Sequence, residues 1–124
     1  MREIKFEKTY EEFKIGGKVY RMEFNDEAIK RYKDKMQEYD KKAKELVEKD
    51  ENASEEEHEE LFDESINLIK DFIDEVLGEG SFDELYKAGN YSSYNIKLVL
   101  EGLAEFITEK SEQLKAKKVK HYKK

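Results

Sequence analysis

The residues of this chain that can do chemistry are few, and their spacing limits what they can do. His58 stands in the run Glu55-Glu56-Glu57-His58-Glu59-Glu60. A metal site on a helix needs a second ligand three or four residues away on the same face, and Ser54, Leu61 and Phe62 fill every such position except Glu55. Glu55 with His58 is at best a partial ligand set, so the run reads as a solvated acidic first turn that complements the positive end of a helix dipole. Asp71, Asp74 and Glu75 are neighbouring carboxylates, but none sits in the apolar context that acid or base catalysis by a carboxyl requires. Gly78, Gly80 and Gly89 follow no strand, and Gly-x-Gly without a third glycine or a lysine is not a phosphate loop. They read as helix terminators, and Ser54, Ser81, Ser92 and Ser93 as helix caps. No catalytic residue, metal ligand or cofactor is assigned, and the chain reads as non-enzymatic.

Composition narrows the class further. The 124 residues include no Cys, which excludes a disulfide framework, thiol catalysis and thiolate metal sites and favours an intracellular setting. No apolar run reaches the roughly 18–20 residues that span a bilayer, and Met1-Arg2-Glu3-Ile4-Lys5-Phe6-Glu7 lacks the apolar stretch of a signal peptide. The expectation is a soluble cytoplasmic protein with no membrane partner. The net charge of minus 7 is unevenly spread. Residues 115–124 hold six Lys and no acid, which leaves 18 basic against 31 acidic residues in the preceding 114. A body so rich in carboxylates repels phosphates, so nucleic acid is an unlikely partner for it. The basic tail either offsets the C-terminal dipole of the last helix or binds an acidic surface or nucleic acid on its own account.

The elements follow from periodicity. Gly16-Gly17 between two β-prone runs predicts a hairpin in which Ile15 faces Lys18, Phe13 faces Tyr20 and Glu12 faces Arg21, with an ion pair between the last two. Ile4 and Phe6 would extend its first strand or form a third, placing the hairpin at about 4–24. Helices are predicted at about 26–49, 55–77, 82–88 and 93–114, and the residues after Leu114 can prolong the last by propensity with little of it buried. The first starts at an Asn25 cap, the second at the capping box Ser54-Glu55-Glu56-Glu57, and the third at a second capping box over Gly80-Ser81-Phe82-Asp83-Glu84. The fold class is therefore α+β, mostly α. An N-terminal hairpin packs on three longer helices and a short one, in a single acidic domain over 1–114 with a basic tail over 115–124.

The two long helices of the first half differ in kind. Leu61, Phe62, Ile66, Ile69, Phe72, Ile73, Val76 and Leu77 form a broad apolar face that suits a central core helix. Ile29, Tyr32, Met36, Tyr39, Ala43 and Leu46 form only a narrow heptad-like stripe between charged flanks. That stripe is the candidate partner-binding surface, with Ile29, Tyr32, Met36, Tyr39 and Leu46 as its residues. It is expected to meet a partner helix or a second copy of the chain.

The hairpin Phe13–Phe24, the Lys/Glu-rich helix after it, and the run from Phe72 to Tyr86, in which Asp74 precedes Gly78-Glu79-Gly80 and a short capped helix, resemble the small tail assembly chaperones of long-tailed phages and prophages of Gram-positive bacteria. The resemblance implies a protein that binds the long helical tape measure protein and keeps it soluble in the host cytoplasm while tail tube subunits assemble, and that is absent from the finished virion. It also implies contact with the tail tube protein through a longer, frameshifted form. It supplies no catalytic residues. The competing class is an acidic regulatory or inhibitory module that occupies a basic site on another protein; its binding would weaken with salt, whereas apolar client binding would tolerate it.

Overall fold

The computed structural model describes the backbone of residues 1–122 and the side chains of residues 1–116. Strands β1 (Tyr10–Ile15) and β2 (Lys18–Glu23) are followed by helices α1 (Asp26–Asp50), α2 (Glu55–Leu77), α3 (Ser81–Ala88) and α4 (Ser93–Tyr122). The α+β, mostly α architecture is thus as expected from the sequence.

The hairpin has the predicted register, with Phe13 opposite Tyr20 and Ile15 opposite Lys18. Its turn needs left-handed backbone at both positions, and Gly16 and Gly17 supply φ of +59° and +85°. Period-two alternation turns Phe13, Ile15, Tyr20 and Met22 towards the helices. Met22 is fully buried, and the Phe13 ring meets Phe106 of α4 edge-on at 5.3 Å. Two expectations fail here. Arg21 turns from Glu12 to Glu23, at 3.0 Å, and stacks over the Tyr10 ring. Ile4 and Phe6 join no strand, because the ladder reaches only as far as the bond from the Phe24 amide to the Thr9 carbonyl, and both side chains are exposed.

Local chemistry sets the helix boundaries. Asn25 Oδ1 accepts from the Ala28 amide at 2.8 Å to start α1, and Ser54 Oγ accepts from the Glu57 amide at 3.3 Å to start α2. Gly78 and Gly80, at φ of +109° and +87°, turn the chain out of α2 and into α3. The capping box expected at Ser81 is replaced by a cap from a distance. Ser81 is already helical and Gly80 has no side chain to give, so Asp74 reaches across from α2 and accepts from the Phe82 amide at 2.9 Å. Asp74→Ala should therefore cost about 1–2 kcal/mol, measured by urea denaturation, while a neutral but still accepting Asn recovers most of it.

Glu84 of α3 ties the hairpin down. Its carboxylate accepts from the Tyr20 hydroxyl at 3.0 Å and from the Lys18 ammonium, and these two donors hold it below its ordinary value. Because folding lowers this pKa, the contribution is present above the unfolded-state value and disappears as pH falls through the folded-state value. The stability difference between the wild type and Glu84→Gln should accordingly be seen at neutral pH and close up below about pH 4. A difference that persists into strong acid would contradict this.

The core lies where the hairpin, α1, α2, α3 and α4 converge. Ile69, Phe72, Ile73 and Val76 of α2 are buried there with Met22, Tyr32, Ile96, Leu103 and Ile107. Helix α4 outruns its predicted end at 114 by eight residues and continues to Tyr122. The run of Lys and Ala has high helix propensity, and lysines near a helix C-terminus oppose the dipole favourably, so the helix needs no buried face to persist. The basic tail, beyond Ala116, otherwise lies outside the described side chains. No helix among the described residues is long and apolar enough to cross a membrane.

Candidate partner-binding groove

Helices α1 and α2 form an antiparallel pair about 35 Å long at 1.5 Å per residue. Arg31 faces Glu75 at 3.8 Å near one end, and the Tyr39 ring meets Phe72 at 6.1 Å partway along. Helix α4 lies alongside, antiparallel to α1. Its Lys97 borders the same depression as Tyr39, Ile107 the same crevice as Met36, and Leu114 that of Ile29. Its first turn therefore comes level with Tyr39 and Ile69. Beyond that level the α1–α2 pair continues alone, and no residue of α1 after Tyr32 or of α2 before Ile69 is buried.

The five residues of the predicted stripe fall into two groups. Ile29 and Tyr32 lie inside the chain's own core, Tyr32 with only 2% of its surface exposed, so a partner reaches neither without opening the fold. Met36 and Tyr39 are half-buried against that core. Loss of water raises the pKa of both tyrosines, which is what rings packed into their own fold should show. The expectation that Tyr32 meets a partner is thus corrected: α4, which a reading of α1 by itself cannot place, covers this half of the stripe. Leu46 belongs to the second group: it is partly buried but lies outside the core cluster.

Leu46 opens into a groove of about 450 Å³ between the free ends of α1 and α2. Its walls are Tyr39, Ala43, Leu46 and Val47 on one side and Leu61, Phe62, Ser65 and Leu68 on the other. Val47 and Phe62 are exposed, at 63% and 48%. Lys97 stands at the inner end, and Asp50 pairs with the His58 Nδ1 at the outer end, across the connection between the helices. His58 is thereby engaged with Asp50 rather than with Glu55. Leu61 and Phe62, assigned from the sequence to the core face, leave the core because no third helix reaches them. Val47 was legible as the neighbour of Leu46 at the i, i+4 position from Ala43, but nothing in α1 shows that it stays uncovered.

The stretch of chain that supplies the outer end of the groove is acidic. Between Glu51 and Ile69 there are eight carboxylates and no Lys or Arg. Among the described residues none of these eight carboxylates is ion-paired to a Lys or Arg side chain. The crevices between α1 and α4 are lined instead mainly by charged and amide groups, including Lys33, Gln37 and Lys115.

The fold and groove together define a small hairpin-and-helix protein that presents an open apolar channel at one end of an otherwise charged body. Residues 17–124 match DUF6673, a family of unknown function, and the chain belongs to that family. No curated protein and no solved structure matches it.

Proposed function

We propose that this chain is a tail assembly chaperone of the phage or prophage type, non-enzymatic, whose client is an apolar helical protein of the tape measure kind. The observation that carries the reading is the uncovered length of the α1–α2 pair, where a two-helix layer has a vacant third-helix position beside Leu46, Val47, Leu61 and Phe62. An amphipathic client helix laid there completes the layer that α4 completes lower down, and each apolar side chain taken fully out of water contributes about 1.5–3 kcal/mol. The strongly charged exterior keeps such a complex from aggregating. The resemblance adds the setting: host cytoplasm, tape measure protein as client, and tail tube protein recruited through a longer form. Co-expression with a cognate tape measure protein should move the latter from the insoluble to the soluble fraction. No change in solubility would count against the proposal.

A second reading has its own support in the carboxylates between Glu51 and Ile69, none ion-paired to Lys or Arg among the described residues, which suit an inhibitory module aimed at a basic site. Salt separates the two. Apolar client binding survives 0.5 M salt, while binding dominated by carboxylates weakens by an order of magnitude or more.

A further inference from the structure

We propose that the groove between the free ends of α1 and α2 also receives the lysine-rich C-terminal segment, residues 115–124, of a second copy of this chain. The groove has an apolar floor, Leu46, Val47, Leu61 and Phe62, and lies within an acidic stretch of the two helices. Over residues 41–69, which supply most of its walls, four lysines stand against eleven carboxylates, a balance of minus 7, and Lys97 at the inner end offsets one of these charges. The segment is its complement in charge, with six Lys, His121 and no acid. Lysine stems can also lie along apolar surface while their ammonium groups reach the rim.

The occupant must come from another copy because of the direction of α4. Its first turn borders the groove at Lys97, and the helix then runs away from it, so that Leu114 and Lys115 lie beside Ile29 and Lys33. From Leu46 back to Ile29 is about 25 Å along α1, and the chain leaves the fold at that far end, heading away from its own groove. Two copies laid antiparallel bring each basic segment to the other's groove at once. That arrangement holds the two acidic ends apart and the two basic ends apart, and it closes as a dimer. The inference does not depend on the identity of any client.

The test is sedimentation equilibrium of the full chain alone. At 50 mM salt the mass should rise with concentration from 14.8 kDa towards twice that value, and at 500 mM salt the association should weaken about tenfold or more. The variant Lys117→Glu/Lys118→Glu/Lys120→Glu should be monomeric at both. Mixing it with a variant reversed on the rim beside Phe62, Glu59→Lys/Asp63→Lys, should restore a mixed dimer. Glu59 and Asp63 are exposed, and helical circular dichroism checks that each variant is folded before it is sedimented. A chain that stays monomeric at 50 mM salt overturns the proposal and leaves the groove to a client alone. Dimers that persist in the lysine-reversed variant, or that ignore salt, overturn it too.

Discussion

The double variant Val47→Asp/Phe62→Asp should abolish solubilisation of a tape measure client while leaving the protein itself folded. Both side chains are largely in water already, so charging them removes little packing, and the expected change in stability is within about 1 kcal/mol. A client helix, by contrast, would have to bury two carboxylates against its own apolar face. That costs several kcal/mol unless they are paired, enough to weaken binding by at least a hundredfold. The contrast with Tyr32→Asp makes the test specific. Tyr32 lies in the core, so its variant should lose solubilisation only by unfolding, visible as lost helical circular dichroism. If the double variant still solubilises the client as well as the wild type does, the groove is not the binding surface.

Phe72→Ala should be among the most destabilising single substitutions in the chain, at about 3–5 kcal/mol by urea denaturation. Phe72 is 1% exposed, is among the largest fully buried side chains, and touches the Tyr39 ring from α2. Its truncation opens a cavity where α1 and α2 meet the hairpin and α4, and neighbours with rings and branched chains collapse poorly into such a space. For a domain of this size the loss is a large fraction of total stability. Phe62→Ala, ten residues earlier on the same helix, should cost about 1 kcal/mol or less, because its ring is half in water. Similar costs at the two positions would mean that Phe62 is covered in solution, as it would be inside an oligomer.

These two phenylalanines show what could be read beforehand and what could not. Both lie on the apolar face of α2 with helical spacing, and the pattern treats them alike. The hairpin register was legible because a Gly-Gly turn leaves few pairings and alternation then assigns each face. The starts of α1 and α2 were legible because Asn25 and Ser54 cap their own helices. The start of α3 was misread for the opposite reason: its cap, Asp74, sits on another helix, and no local pattern reports a partner eight residues back. The α4 end at Tyr122 lies past the fading of the apolar signal at Leu114, as propensity allows, because that signal marks the end of burial and not the end of a helix that lysine and alanine can sustain.

The sequence by itself determined the class, α+β with one hairpin and four helices, since period two, period 3.6, glycine turns and side-chain caps are properties of neighbouring residues. It also determined the division into an acidic body and a basic end, which is a matter of counting. Only the tertiary structure decided which half of the α1 stripe is core and which is surface. Ile29 and Leu46 belong to the same apolar stripe; they differ because α4 lies against the first and begins level with Tyr39 and Ile69, short of the second. Whether an apolar face is satisfied depends on the length and direction of the helix laid across it, and that is a relation between distant segments that neither segment contains.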